Sequence, residues 1–329
     1  MSRPFARLAS AAMLAALFMP MLKATAQEQV PAAPAQTPSE PTPTAAPVFP
    51  KPNPANFTAT SPTKEAIDAF LQTSWGYDEN RIWQVQAILK TTAEGITKVV
   101  LIVGDKTGKQ KPAAMGFFAL ADGKHIIAGD EIIAFGPHPF AEDRATLQAR
   151  ADGPYRGSAA KDLELVEFAD FQCPHCKEAE ANMDKLAVDF PKARIVFQVY
   201  PLARIHPESV TAAAYGMCVT KLGGSSAFFQ FAAAVFDGQE GLATKDGAIL
   251  TLNSAVTKAG LDPTKVAACA ATPAVNAEVD ASVKLAQDLN INQTPTLMVN
   301  GRQVPIGGVA YETLKQIIQY QAKLDGVTQ

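Results

Sequence analysis

The fold of this chain is decided by the stretch EFADFQCPHC, residues 167–176. An apolar, strand-like run over residues 163–168 leads into it, and a strong helical pattern over residues 177–190 follows it. Two cysteines separated by two residues therefore lie between the end of a strand and the start of a helix. Because the N–H groups and the dipole of a helix N-terminus favour a thiolate over a thiol, this placement predicts a redox-active dithiol. In this dithiol, Cys173 is expected to be the exposed nucleophile and Cys176 the thiol that closes the disulfide.

Two other interpretations of the cysteine pair stay open, a zinc half-site and an inert structural disulfide. Zinc needs four ligands, and the sequence offers no second closely spaced pair of Cys or His residues. The residues between the cysteines favour redox chemistry. Pro174 presets the backbone of a first helical residue, where its missing N–H would have no partner anyway. His175 is expected to donate an N–H or a positive charge toward Cys173.

The same stretch resembles the active-site segment of the DsbA-like branch of the thioredoxin superfamily, in which Cys-Pro-His-Cys is typical of the exported oxidases. Glu167 lies six residues before Cys173, where relatives carry a buried acid beneath the active site. Thr294 and Pro295 precede an apolar strand, where relatives carry a cis-proline loop opposite the dithiol. The resemblance covers roughly residues 161–323 and implies a thioredoxin fold for them.

The resemblance also implies roles for the matching residues. Glu167 is expected to have a raised pKa, because burying an unpaired carboxylate is costly, and to relay the proton of Cys176. The alternative for Glu167 is a strand end that faces solvent. The backbone of Pro295, in a cis peptide bond, is expected to pair with a substrate chain as an added strand. Thr294 is expected to shape the redox preference, since oxidases commonly carry valine before that proline and isomerases more typically carry threonine.

The first residues predict an export signal, residues 1–26, in which a basic segment is followed by an apolar core at residues 8–22. The small residues of Ala24-Thr25-Ala26 suit a cleavage site, and an uncleaved membrane anchor is the alternative. Residues 27–56 are rich in Pro and Ala and are expected to form a disordered linker. Export would bring the protein to the periplasm or otherwise outside the cytosol, where disulfides persist.

The remaining length exceeds one typical domain. Residues 57–138 predict a small α+β domain with a helix that starts at Ser61-Pro62 and with no catalytic constellation. Residues 139–160 predict a linker helix and loop, and residues 161–329 a thioredoxin-like catalytic domain. This layout resembles that of the DsbC and DsbG disulfide isomerases, whose first domain dimerises. A homodimer through the N-terminal domain is therefore left open.

The predicted catalytic domain contains a long helical pattern, residues 206–290, between its second and third strands. The predicted fold class is thus an α/β thioredoxin fold with a helical insertion, preceded by a small α+β domain. Cys218 and Cys269 lie in the insertion and, in an exported protein, are expected to form a structural disulfide. Two buried thiols are the alternative. His206 is interpreted as a helix cap at the start of the insertion, and a position near the active site is the alternative.

These features predict a protein thiol:disulfide oxidoreductase that acts as an oxidase. Its expected partners are unfolded or partly folded exported proteins and a membrane redox partner of the DsbB or DsbD kind. A disulfide isomerase or reductase is the alternative that Thr294 and the extra domain favour, and a holdase or binding module is a third. No cofactor beyond the Cys173–Cys176 disulfide and no metal is expected. The net charge of −3 argues against a nucleic-acid partner.

Overall fold

The computed structural model describes residues 48–109 and 111–327 of the chain, and these residues belong to one compact unit. The predicted export signal, residues 1–26, and most of the predicted linker, residues 27–56, lie outside the described residues. Within the described part, the chain forms two five-stranded sheets that share no strand. No helix of this part is long and apolar enough to cross a membrane.

The first sheet is an antiparallel meander preceded by helix α1, Lys64–Trp75. Its strands follow one another in space as in the chain: β1 Arg81–Lys90, β2 Thr97–Asp105, β3 Ala113–Ala119, β4 His125–Ala128 and β5 Glu131–Ala134. The helix packs Ile67, Phe70 and Leu71 against the buried side chains of β1, β2 and β3. This amphipathic face is what covers one side of the sheet.

The predicted helix start at Ser61-Pro62 is wrong. The helix begins at Lys64, because the side-chain oxygen of Thr63 accepts the backbone N–H of Ala66 at 3.2 Å and so caps the first turn.

A polar helix, α2 at Ala141–Arg150, follows the first sheet where the sequence predicts a linker helix. It leads to β6, Tyr155–Gly157, a strand that the sequence pattern does not reveal. Three residues are too few to show an alternation, and β6 is defined by its antiparallel pairing with β8, Arg194–Val199. The boundaries of the predicted domains stay predictions.

The second sheet has the strand order β10-β9-β7-β8-β6. Its central strand, β7 at Glu164–Ala169, is buried at every position, which explains the apolar run seen in the sequence. β8 lies parallel to β7 on one side, and β9, Thr296–Val299, lies antiparallel on the other. β9 turns into β10, Arg302–Pro305, through two residues at positive φ, Asn300 and Gly301.

Two helices pack on one face of this sheet, α3 at Pro174–Asp189 and α8 at Tyr311–Leu324. A βαβ half that contains α3 and a ββα half that ends in α8 therefore share one sheet. This arrangement confirms the predicted thioredoxin fold.

Between β8 and β9 the described chain forms four α-helices, which are the predicted insertion: α4 Ser209–Asp237, α5 Lys245–Lys258, α6 Pro263–Ala270 and α7 Pro273–Asp288. α4 is interrupted at Gly224, at φ +73° and ψ −175°, a conformation that glycine adopts without a Cβ clash. α6 and α7 each start with proline behind a capping side chain, Asp262 and Thr272. The sequence pattern does not predict the interruption at Thr272 between the end of α6 and the start of α7.

A disulfide joins α4 to α6 between Cys218 and Cys269, with the two sulfur atoms 2.04 Å apart. The alternative of two buried thiols therefore does not occur. Because the cysteines are 51 residues apart in sequence, the bond closes a long loop inside the insertion.

Candidate active site

The two remaining cysteines meet at the start of α3. Cys173 is the residue just before the helix, and Cys176 lies in its first turn, with its N–H donating to the carbonyl of Cys173 at 3.1 Å. Both are free thiols in the structure. Cys173 is only 6% exposed, so the nucleophile is more buried than expected. The carbonyl oxygen of Thr294 lies 3.6 Å from the sulfur of Cys173 and covers it from the opposite loop.

The two thiols differ strongly in acidity. A hydrogen bond from the Cys176 thiol lowers the pKa of Cys173 to about 5, and the Thr294 side chain and the backbone N–H groups of Cys176 and His175 act in the same direction. Burial opposes this shift. Burial raises the pKa of Cys176 far above its ordinary value, and the neighbouring Cys173 raises it further. At neutral pH the site therefore holds a thiolate at Cys173 and a thiol at Cys176.

The loop before β9 faces the dithiol, and its Thr294–Pro295 bond is cis. The backbone role expected of Pro295 needs correction, because its carbonyl already accepts the N–H of Ile306 at 3.2 Å and proline has no N–H to offer. The backbone that faces Cys173 is that of Thr294.

Glu167 lies buried in β7, so the alternative of a solvent-facing strand end is wrong. Burial, then the charge of Glu180, raises the pKa of Glu167 well above its ordinary value. Its charge in turn raises the pKa of Cys176, which places the two groups within electrostatic reach of each other. The proton relay expected of Glu167 stays a prediction.

Sequence reasoning missed a second acid in this buried region, Glu180, whose pKa is raised to about 7 by burial. Arg156, from β6, lowers the pKa of both Glu167 and Glu180 and itself pairs with Asp184 at 2.6 Å. A signal for Glu180 exists, since a residue four positions after Cys176 lies on the same face of a helix. Arg156 could not have been found, because its strand was not predicted.

The ring of His175 hydrogen-bonds to Glu178 rather than to Cys173, although the charge of Cys173 also acts on it. Its side chain is 68% exposed, and its Nδ1 lies 2.9 Å from a carboxylate oxygen of Glu178. That contact, more than the charge of Cys173, raises the pKa of His175. It is the backbone N–H of His175 that stabilises the Cys173 thiolate. Pro174 occupies the first helical position, as expected.

His206 is not a helix cap, because α4 starts at Ser209 behind Glu208. Its Nδ1 lies 2.9 Å from a carboxylate oxygen of the buried Asp170, which follows β7 directly. The sequence-based prediction assigned no role to Asp170, since two of the three donors to its carboxylate, Leu202 and His206, lie more than 30 residues away in the chain.

The insertion also holds the loop that carries the dithiol. The side-chain amide of Gln239 donates to the carbonyl oxygens of Phe171 and Cys173, both at 2.9 Å. Gln172 donates to the carbonyl of Leu242 at 2.9 Å and accepts the N–H of Glu208 at 2.9 Å. The cysteine loop is thus fixed on the helical side as well as by its own sheet.

No group of three or more His, Cys, Asp or Glu side chains arranged for metal binding occurs in the described residues. The arrangement at the start of α3 suits thiol–disulfide exchange, which proceeds by attack of a thiolate on sulfur.

Part of the chain is similar to curated antiporters. The Na(+)/H(+) antiporter NhaA 3 of Salinispora tropica is 28% identical over 148 residues, which are 45% of this chain and 22% of that protein. NhaA 1 of Mycolicibacterium vanbaalenii is 29% identical over 166 residues, which are 50% of this chain and 24% of that protein. The chain thus spans about a quarter of the length of these curated relatives.

Solved structures similar to the chain include a thioredoxin-like oxidoreductase from Silicibacter pomeroyi DSS-3, with 28% identity, a TM-score of 0.47, and coverage of 55% of this chain and 98% of that one. The thiol-disulfide exchange protein alpha-DsbA2 from Wolbachia pipientis has 20% identity and a TM-score of 0.46, with coverage of 54% of this chain and 95% of that one.

A family model described as thioredoxin matches residues 150–320, which are just over half of the chain. The matched residues include β7, the dithiol, the insertion and the cis-proline loop. The chain therefore belongs to the thioredoxin family.

Proposed function

We propose that this protein is an exported thiol:disulfide oxidoreductase that passes the Cys173–Cys176 disulfide to folding proteins. The observation that carries the proposal is the split in acidity between the two thiols, with the pKa of Cys173 lowered to about 5 and that of Cys176 raised. A thiolate that is stable at neutral pH is a good leaving group, and its stability favours the reduced form of the protein.

The size of this effect follows from the pKa. At pH 7 a thiol with a pKa of about 5 is about a hundred times more often a thiolate than a thiol. This ionisation shifts the equilibrium between disulfide and dithiol toward the dithiol by about two factors of ten. Each factor of ten corresponds to about 30 mV, so the disulfide becomes about 60 mV more oxidising than one without the shift.

The reaction has two exchange steps. A substrate thiolate attacks the sulfur of Cys173, the bond to Cys176 breaks, and Cys176 leaves as a thiolate that takes up a proton. A second substrate thiolate then attacks the substrate sulfur of the mixed disulfide and releases the Cys173 thiolate. The substrate gains a disulfide and the protein becomes a dithiol, which a membrane redox partner of the DsbB or DsbD kind reoxidises.

The surroundings of the dithiol supply the other parts of this proposal. Glu167 gives a proton to Cys176 and takes it back, because both are buried and the charge of Glu167 raises the pKa of Cys176. The backbone of Thr294 pairs with an unfolded substrate chain, since it faces the sulfur of Cys173. The periplasm or another exported compartment is where such a disulfide persists.

A second candidate function is a disulfide isomerase or reductase. Thr294, where oxidases commonly carry valine, and the separate first sheet with α1 favour it. An isomerase acts from its reduced dithiol, and a homodimer through the first sheet would accompany it. A monomer with an oxidised resting state would exclude this function.

The equilibrium of the dithiol with glutathione tests the proposal. We expect a potential well above that of thioredoxin, about −270 mV, and a complete loss of exchange in Cys173→Ala. A potential at or below that value would withdraw the oxidase assignment in favour of a reductase. Full exchange activity in Cys173→Ala would overturn the assignment of the site, and a binding module would then replace it.

A further inference from the structure

Asp170 is a fully buried carboxylate beside the dithiol, and its side chain has no exposed surface. It accepts three hydrogen bonds, from the backbone N–H of Gln172 at 2.8 Å, the backbone N–H of Leu202 at 2.7 Å and Nδ1 of His206 at 2.9 Å. The side chain of His206 is 17% exposed and comes from the loop before α4. This carboxylate therefore ties the loop after β7 to the segment after β8.

The backbone of the same residue contacts both cysteines. The Asp170 N–H points at the sulfur of Cys176, with nitrogen and sulfur 3.4 Å apart. The Asp170 carbonyl accepts the N–H of Cys173 at 3.0 Å. The Asp170 N–H lowers the pKa of Cys176, whereas burial and the charges of Cys173 and Glu167 raise it.

Resting on the proposed exchange function, we propose that Asp170 and His206 are positioning residues for the step that makes or breaks the Cys173–Cys176 bond. In that step a thiolate attacks the sulfur of Cys173, the bond between the two cysteine sulfurs breaks, and the electron pair leaves on Cys176. In the reverse step Cys176 loses its proton, and its thiolate attacks the sulfur of Cys173 in the mixed disulfide. The bond from Cys173 to the external sulfur breaks, and the external thiolate leaves. In both directions the sulfur of Cys176 carries a negative charge only transiently, during the exchange step.

A donor held in place before that charge develops stabilises it without having to reorganise. The Asp170 N–H is such a donor, because the carboxylate of the same residue is fixed by three hydrogen bonds, one from its own loop and two from the segment after β8. Removing the His206 donor leaves a buried carboxylate short of one partner, and the loop then shifts to find another. The donor to Cys176 moves with it.

The kinetic test is the reaction of the oxidised protein with reduced glutathione, quenched with acid and followed by mass spectrometry of the mixed disulfide. We expect His206→Leu to open the Cys173–Cys176 bond about tenfold more slowly, a loss in the range of one hydrogen bond to a charged group. His206→Asn keeps a donor close to the position of Nδ1 and should recover most of the rate. Asp170→Asn, which puts an amide where three donors converge, should be slower than His206→Leu.

Two readouts and a control variant distinguish a positioning role from a general loss of structure. Alkylation of reduced Cys173 should keep its rate, and the equilibrium with glutathione should not move, because forward and reverse steps slow together. His125→Leu is the matched control, since Nδ1 of His125 lies 2.6 Å from Asp122 in the first sheet and its side chain is 38% exposed. This variant should open the disulfide at the wild-type rate.

The outcomes decide between the two proposals. If the wild-type protein itself does not exchange with glutathione, the proposed function fails and this inference fails with it. If the wild-type protein exchanges and both His206→Leu and Asp170→Asn do so at the wild-type rate, only the positioning role is overturned. An equal fall in bond opening and in Cys173 alkylation would likewise overturn it and show a structural role.

Discussion

At the scale of single residues, the thiolate of Cys173 makes the reduced protein depend on pH. Its folded pKa, about 5, is below the ordinary value of about 8.5 for a thiol in an unfolded chain. Stability from this shift is therefore fully present above pH 8.5 and is lost as the pH falls through 5. Compared with Cys173→Ser, the reduced wild type should gain about 2.7 kcal/mol in free energy of unfolding at pH 7 and almost nothing at pH 4. Urea unfolding at both values checks this, and a pH-independent difference would contradict it.

Glu167 should have the opposite pH dependence, because burial raises its pKa well above the ordinary 4.5. Stability linked to a raised folded pKa is fully present below the unfolded pKa and is lost as the pH rises through the folded pKa, so the carboxyl costs stability as the pH rises above 4.5. Glu167→Gln should therefore unfold at a higher urea concentration than the wild type at pH 8, with little difference at pH 4. The same variant should slow the return of Cys176 to the disulfide if Glu167 relays its proton. A constant difference between the two proteins at all pH values would show that Glu167 does not titrate in this range.

At the scale of elements, the sequence predicts what local pattern controls. β7 and α3 were expected because the apolar run and the helical period are both visible within about ten positions. β6 was not predicted, since it is defined by its pairing with the distant strand β8. The start of α7 at Pro273, capped by Thr272, was not predicted either. The same limit explains the site: the motif revealed both cysteines, while Asp170 and His206 are joined only by the folded chain.

The disulfide of the insertion gives a prediction at this scale. Closing a loop of 51 residues should stabilise the fold by about 4 kcal/mol if loop entropy dominates. The double variant Cys218→Ala with Cys269→Ala should lose about that amount, because the bond joins α4 to α6 within one core. Its rate of exchange with glutathione at 25 °C should stay within about twofold of the wild type, since the side chains of Gln172 and Gln239 make hydrogen bonds that hold the dithiol loop. A variant as stable as the wild type, measured by urea unfolding, would contradict the loop argument.

At the scale of the whole molecule, one arginine ties the first sheet to the thioredoxin part. Arg302, at the start of β10, is buried and donates to the carbonyl oxygens of Ser74 at 2.7 Å and Thr73 at 2.5 Å, in the last turn of α1. These carbonyls have no partner within their own helix, and a cation at a helix C-terminus also suits the helix dipole. The guanidinium packs 4.3 Å from the ring of Phe140, just before α2. Burial lowers the pKa of Arg302 to about 10, so it stays charged at neutral pH.

Because this contact is buried, its loss should separate the unfolding of the two parts. We expect the wild type to unfold in one calorimetric transition and Arg302→Met to show an earlier one for α1 and the first sheet. Leaving two helix-end carbonyls unsatisfied should destabilise that part by about 2–4 kcal/mol. Arg150→Met is the control, since Arg150 pairs with Asp288 at the surface at 2.8 Å and exposed pairs contribute about 1 kcal/mol or less. If Arg302→Met keeps a single transition with no larger shift than Arg150→Met, the two parts are held together by other contacts, such as the hydrogen bond from Tyr320 to the carbonyl of Gln72, and Arg302 does not couple them.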